Sequence, residues 1–258
     1  MRYALALAYQ GTHFKGWQTQ NNLPTIQETI EKALSYVADE PIQVTAAGRT
    51  DAGVHAAKQV IHFDTSCERP LHAWVFGCNS QLPSDISVQW VQPISQDFHA
   101  RFSATARRYR YYIHNRRERP ALLREQLTWH CRPLDVPSMQ KAALYLLGEH
   151  DFSAFRAADC QSHSTNRTVE FIQLTASDDI ICLDIQANAF LHHMVRNIVG
   201  TLFVIGEKKQ PPEWMKAVLE NADRKKAGIT APPEGLYMVD VVYPESFELP
   251  KTPLFNLL

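Results

Sequence analysis

Strand-like runs and amphipathic helical runs alternate along this chain from end to end, and that alternation limits the fold more than any other feature. Residues 3–9, 42–47, 58–63 and 86–91 have strand composition, with helical runs at 26–37 and near 71–78 between them. The first helix opens behind Pro24 at a capping box of Thr25 and Glu28, and it places Ile26, Ile30, Ala33, Leu34 and Val37 on one face. The second half repeats the style, with strands at 107–114, 168–175, 180–187 and 236–243. Its helix at 138–147 gathers Met139, Ala142, Ala143, Leu146 and Leu147 on one side, with Gly148 to close it. A longer helix at 190–205 aligns Leu191, Val195, Ile198, Leu202 and Ile205. The strands show only partial alternation, which favours a mixed sheet with helices on one face. Each half holds about four strands and two helices, so the expected organisation is two α+β lobes, residues 1–104 and 105–258. No Gly/Ser-rich or Pro-rich linker separates them, so they share a continuous sheet or a broad interface. The tail 244–258 holds three prolines and is expected to be irregular.

Charge and cysteine usage narrow the function classes. The formal net charge is −1, so any footprint for a polyanion must be local. Five cysteines, Cys67, Cys78, Cys131, Cys160 and Cys182, are widely spaced without a C-x-x-C pair. That pattern fits reduced thiols in a cytosolic protein rather than a disulfide framework or a zinc knuckle. The N-terminal run meets Gln10 and Gly11 too early for a secretory signal, and no apolar run is long enough to span a membrane.

Three segments could carry chemistry. Gly48-Arg49-Thr50-Asp51-Ala52-Gly53-Val54-His55 places a carboxylate between glycines, beside an arginine, at the end of a strand. Arg49 can hold Asp51 ionised, and an ionised carboxylate serves as nucleophile or general base. The same pattern also suits a plain turn in which Asp51 caps backbone N–H groups. The segment 101–124 concentrates Arg101, Arg107, Arg108, Arg110, Arg116, Arg117, Arg119 and Arg124. On a strand, Tyr109, Tyr111 and Ile113 would share one face, and Arg108, Arg110, Tyr112 and His114 the other. Arginines interleaved with tyrosines suit RNA phosphates and bases, or else a solvated basic strand over core tyrosines. In the third segment, 190–200, His192 and His193 are adjacent. On a helix they would point about 100° apart, a poor geometry for one metal ion. Cys160-x-x-His163 is too incomplete for a zinc site.

Taken together, the chain resembles the tRNA pseudouridine synthases of the TruA type. The resemblance rests on GWQ-x-Q (16–20), GRTDAGVHA (48–56), NSQLPSDI (79–86), FHARFSATARRYRYYI (98–113), GEHDFSAFRA (148–157), NAFLHHMVRNIVG (188–200) and EGLYMVDVVYP (234–244). It implies an α+β fold of two similar lobes, with a continuous mixed, mainly antiparallel sheet, helices packed on it and a central cleft. It implies that Asp51 is the catalytic aspartate and that Arg49 helps flip the target nucleotide. Tyr109 would stack on the target base, Arg196 would pair with the aspartate, and Leu236 would pack beneath the site. Arg107, Arg108 and Arg110 are the expected phosphate contacts. The resemblance further implies a cytoplasmic homodimer acting on uridines 38, 39 and 40 of the tRNA anticodon stem-loop, with no metal and no organic cofactor. Two rival readings are a non-catalytic RNA-binding protein and a metal-dependent RNA hydrolase built on Asp51, His55 and His62.

Overall fold

The computed structural model describes residues 1–257 apart from 159 and 161. The chain forms two compact units, Met1–Ala106 with Tyr237–Leu258, and Arg107–Leu236.

The first unit begins with β1 (Arg2–Tyr9), α1 (Ile26–Ala38), β2 (Thr45–Ala46), β3 (His55–Asp64), α2 (Leu71–Gln81) and β4 (Ile86–Ile94). β1 lies between β3 and β4 and is antiparallel to both. Its Ala-Leu alternation explains that central place: Ala4, Leu5, Ala6 and Leu7 are all fully buried, small residues on one face and large ones on the other. Tyr3, Phe63 and Trp74 form an aromatic cluster between strand and helix, with Tyr3 and Phe63 stacked at 5.5 Å. α1 and α2 pack closely because Gly77 faces Val37, where an added Cβ would lie 2.9 Å from a Val37 methyl.

The second unit holds β5 (Ala106–Asn115), β6 (Thr128–His130), α3 (Val136–Leu144), β7 (Gly148–Asp151), β8 (Asn166–Ser177), β9 (Ile180–Ala187), α4 (Met194–Gly206) and α5 (Trp214–Asn221). Its sheet runs β5-β9-β8-β7, antiparallel throughout, and β6 lies parallel to β5. α4 carries most of the predicted apolar stripe: Val195, Ile198, Leu202 and Ile205 are buried on it, and Leu191 is buried just before it. The polar members of α4 are also inside and satisfied. Asn197 donates to Phe155 O at 2.7 Å and accepts from Arg224 and Thr230. Thr201 accepts from Gly228 N at 3.0 Å. After this unit the chain returns as β10 (Leu236–Val242), which pairs parallel with β3 through Tyr237–His55 and Met238–Ala56. The last strand therefore pairs with β3 of the first unit although it lies at the end of the sequence. The fold is α+β, with mixed but mainly antiparallel sheets.

Several local expectations change. The strand expected over 42–47 is reduced to Thr45–Ala46, because Ile42 N and Val44 N turn to side chains of α1, Ser35 Oγ and Glu31 Oε1. Thr25 is the N-cap of α1, but its side chain makes no capping bond, and Glu28 pairs with Lys32 instead. The helix expected from 190 starts at Met194, because His193 sits at φ 61°, outside helical space. Gly148, at φ 93°, opens β7 rather than capping a helix, and Leu147 is exposed instead of joining the core. Strands β6 and β7 and helix α5 were not anticipated: the two strands are very short and α5 follows a Pro-Pro pair. Among the described residues no helix is long and apolar enough to cross a membrane.

The tightest contact in the second unit is Gly200 on α4, where an added Cβ would lie 1.6 Å from Ile229 O. Gly228 faces Gly200 O at 2.3 Å in the same sense. Gly200→Ala should therefore cost about 2–3 kcal/mol by overpacking, despite alanine's better helix propensity. Thermal unfolding should fall by about 4–12 °C for a chain of this length. An unchanged melting temperature would show that the α4–Ile229 contact relaxes without strain.

Candidate active site

In the first unit, the loop 48–54 connects β2 to β3 and carries Asp51 at its turn. Val54 N closes the turn onto Asp51 O at 3.1 Å, and Gly53 supplies the positive φ of 78° that the reversal requires. Thr50 faces inward while Arg49 is exposed and Asp51 is half-buried. The side chain alternation thus holds the loop by Thr50 and presents Asp51.

Five neighbours brace this loop. Tyr9 OH meets Thr50 Oγ1 at 2.8 Å, inside the protein. Trp17 N donates to Thr50 O at 3.0 Å. Gln59, fully buried on β3, donates its Nε2 to Gly48 O at 2.7 Å. Gly16, at φ 90°, runs so close that an added Cβ would lie 2.8 Å from Thr50 O and 3.2 Å from Ala52 N. Gly11 is closer still, 2.0 Å from Val54 O by the same measure, and its N–H donates to His55 Nδ1 at 3.0 Å. His55 in turn stacks on Tyr237, at 4.6 Å between ring centroids. Burial raises the Tyr9 phenol well above its usual range, so at neutral pH it remains a neutral hydroxyl.

In the second unit, Tyr109 lies on β5, nearly buried, with its ring edge-on to Phe190 at 5.0 Å. The face alternation expected for β5 holds: Tyr109, Tyr111 and Ile113 stand opposite Ile185, Leu183 and Ile181 of β9. The other face brings Arg108 and Arg110 to one carboxylate. Arg108 grips Asp184 with Nε and a terminal nitrogen at 2.7 and 2.8 Å, and Arg110 Nε adds a bond of 2.8 Å. Arg108 also lies over the Phe171 ring at 5.0 Å. Arg107 donates to Asn188 O at 3.0 Å. Two of the three arginines expected to meet phosphate, Arg108 and Arg110, therefore share one partly buried carboxylate, which the spacing of basic residues alone did not show.

Arg196 sits in the first turn of α4 and is fastened at both ends to Ala231. Its Nε donates to Ala231 O at 2.8 Å, and its own carbonyl accepts from Ala231 N at 3.1 Å. Burial pushes the Glu234 carboxyl up, and the Arg196 charge pulls it partly back. Gly235 passes against Tyr112 O and Thr128 Oγ1, where an added Cβ would lie at 2.5 and 2.7 Å, and buried Leu236 follows. Tyr111 anchors this segment, with its hydroxyl 2.8 Å from Pro232 O and 2.7 Å from Thr128 Oγ1.

The hydrolase reading needs His55 and His62 close to one ion. His55 and His62 each accept a backbone N–H at Nδ1, from Gly11 and Ala100. They lie seven residues apart on β3, hence on opposite faces and about 23 Å apart. They cannot share an ion. His192 and His193 lie in a turn before α4, not on the helix, and their rings approach to 4.0 Å. Sequence reasoning missed Gln59, Tyr9, Asp184 and Glu234. Gln59 was detectable as a lone amide in an apolar strand, whereas Asp184 needed the β5–β9 register.

The comparisons with known proteins bear on this arrangement. A family profile described as tRNA pseudouridine synthase matches residues 5–103 and 142–244. The chain is 55% identical over 255 residues to tRNA pseudouridine synthase A of Hydrogenovibrio crunogenus, covering 99% of this chain and 97% of that one. It is 56% identical over 259 residues to the protein of the same name from Colwellia psychrerythraea, covering 99% and 100%. A similar match, 53% over 253 residues, is found with tRNA pseudouridine synthase A of Coxiella burnetii, covering 98% and 97%.

Asp184→Asn keeps the shape of the arginine anchor and removes its charge. Two partly buried guanidinium groups would then face a neutral amide. Stability should fall by about 2 kcal/mol, less than the 3–5 typical of full burial because both arginines keep some solvent. Adding Arg110→Met to that variant should recover part of the loss. Equal melting of all three proteins would mean that the cluster contributes no net stability.

Proposed function

The chain belongs to the tRNA pseudouridine synthase family, and from that premise we propose that Asp51 is the catalytic carboxylate of a uridine-to-pseudouridine isomerase. The proposed substrate is tRNA, at uridines 38, 39 and 40 of the anticodon stem-loop. The observation that carries the reading is the Asp51 loop itself: a half-exposed carboxylate on a turn fixed by Gly11, Gly16, Trp17, Tyr9 and Gln59. A residue that merely capped a turn would not need such support from five separate neighbours. A non-catalytic RNA-binding role is disfavoured, since close relatives over nearly the whole chain carry the synthase name.

The reaction breaks the C1′–N1 bond of uridine, turns the uracil and forms a C1′–C5 bond. C5 gives up its hydrogen as a proton and N1 gains one, so the product is an isomer and no oxidant or group donor takes part. An ionised carboxylate serves three routes: attack at C1′, attack at C6 of the base, or removal of a sugar proton to give a glycal. Each needs a charged Asp51 held at a fixed position, and the braced loop supplies the position. Lifting the target base from its stack costs a few kcal/mol. Stacking on Tyr109 returns about 1–3 kcal/mol, and the Phe190 contact keeps that ring from turning. Arg49 is assigned to flipping the nucleotide, Arg196 to balancing charge, and Leu236 to the apolar floor. Their match to the family's motifs supports these roles, as does the double fastening of Arg196 to Ala231. Arg107, Arg108 and Arg110 are assigned to phosphate contact, Arg108 and Arg110 while also holding Asp184. A homodimer working in the cytoplasm completes the proposal.

Tritium release from tRNA labelled at C5 of uridine reports the isomerisation directly. Wild-type protein should release tritium in the presence of EDTA, and Asp51→Asn should slow release by at least about 10²-fold while still binding tRNA. A tRNA with uridines at 38–40 that releases nothing with the wild type would sink the enzyme reading. Gly16→Ala leaves Asp51 in place chemically but pushes its loop by way of Thr50 O. A shift of about 1 Å is enough to lower kcat on the order of 10²-fold. Full activity in that variant would show that the loop tolerates displacement, contrary to its role as a fixed mount.

A further inference from the structure

Phe102 stands on the surface of the first unit with 75% of its area exposed, yet it is held more firmly than an exposed ring needs. The turn that bears it is closed by Ser103 N to His99 O at 2.9 Å and by His99 N to Ser103 Oγ at 3.0 Å. His99 Nδ1 accepts from both Arg101 N and Phe102 N at 3.2 Å. Three elements pin the turn to the body of the unit. Arg2 donates to Phe98 O at 2.9 Å, His62 Nδ1 accepts from Ala100 N at 3.1 Å, and Tyr243 OH donates to Ala100 O at 2.7 Å. Phe98 itself is fully buried against Tyr243 and Phe247. Rings then run outward in a column, with His62 to His99 at 4.8 Å and His99 to Phe102 at 4.3 Å. The Arg101 guanidinium lies 5.5 Å from the Phe102 centroid.

An exposed aromatic ring with an arginine beside it, on a backbone that loses little freedom on binding, suits a nucleobase and its phosphate. Burial keeps His62 neutral, with its pKa lowered to about 4, and His99 is lowered as well. Both therefore stay acceptors at neutral pH and the turn keeps its shape. His55, beside the Asp51 loop, and His62, beneath this turn, are seven residues apart on β3, a separation of about 23 Å. Other exposed apolar side chains, such as Ile229 and Leu122, lack this combination of a ring, a neighbouring cation and a pinned turn.

We infer that the turn Phe98–Ser103 is a second tRNA contact, at which an unpaired base stacks on Phe102 and a phosphate meets Arg101. The inference rests on the reading of tRNA as substrate. The base bound here is a different nucleotide from the one that reacts, and its part is to set register.

Binding of fluorescent full-length tRNA, followed by anisotropy on an Asp51→Asn background, tests the inference. Phe102→Ala should weaken binding about tenfold or more, and Phe102→Trp should restore it. Arg101→Ala should weaken binding and flatten the slope of log K against log salt by about 0.7–0.9, whereas Phe102→Ala should leave that slope as it was. Thermal unfolding of each variant separates loss of contact from loss of fold. Parent protein that binds tRNA, with Phe102→Ala binding equally well, would overturn this inference alone. Parent protein that fails to bind tRNA would overturn the substrate reading and this inference with it. Conversion of a dimer to a monomer by Phe102→Ala in sedimentation would assign the ring to a second copy of the chain and overturn the RNA contact.

Discussion

The backbone of residues 50–54 lies against two stretches of chain that have no side chain at the point of contact. Gly11 and Gly16 approach Val54 O and Thr50 O so closely that a single methyl group at either position would collide with backbone. Backbone cannot give way as a flexible side chain can, so these glycines fix where the loop runs. Everything else about the first unit's site follows from that approach. It lets Trp17 N reach Thr50 O and Gly11 N reach His55, and it sets Tyr9 under Thr50. Thr50, just before Asp51, is tied down, and the turn at Gly53 leaves Asp51 half open. The Asp51 carboxylate is thus mounted on sheet and loop together, not on loop alone.

A comparable constraint operates in the second unit through charge. Asp184 is the shared acceptor of Arg108 and Arg110, and β5–β9 pairing places Arg110 directly across from it. Two cations and one anion leave this three-residue cluster with a single net positive charge, and the bonds to Asp184 orient both guanidinium groups. Bonds to Asp184 offset the desolvation that would otherwise oppose burying the arginines, and they keep Arg110 firmly protonated. Basic residues in a sequence are thus a poor count of phosphate contacts. Part of the arginine content of this strand orders the sheet, and the same bonds fix the strand that carries Tyr109 to its neighbour.

The sequence showed a good deal of this and concealed the rest for identifiable reasons. The α4 stripe from Val195 to Ile205 was readable because helical period and burial agree there. The start of α4 was not, because a histidine at positive φ has no reliable signature. The strand at 42–47 has apolar residues at Ile42 and Val44, and both are buried. They are held by Ser35 and Glu31 of α1 instead of by a neighbouring strand, a choice made by tertiary packing. Asp51 and its loop could be found from composition as a candidate turn, and the resemblance to a known family raised it above other aspartates. The brace beneath it depends on residues more than thirty positions away, such as Tyr9 and Gly11. No local pattern could have joined them to Asp51 in advance. The return of β10 to β3 was equally hidden, since strand order is set by pairing and not by position in the chain.

Two buried histidines tie these features to one another along β3. Each uses Nδ1 as an acceptor for a backbone N–H, His55 for Gly11 and His62 for Ala100. Protonation would remove the acceptor in either case and set two N–H groups against each other. For His62, burial and the nearby Arg2 charge oppose protonation until pH falls to about 4. Its unfolded form takes up a proton at higher pH, so the contribution of His62 to stability is complete above the ordinary histidine range and is lost as pH falls through its folded value. The strand that supports the Asp51 loop at one end therefore supports the Phe102 turn at the other, through the same kind of bond, and the His62 bond keeps its acceptor at neutral pH. The spacing between the Asp51 loop and the Phe102 turn is set by the one strand, β3, whose histidines accept from the chain beside each of them.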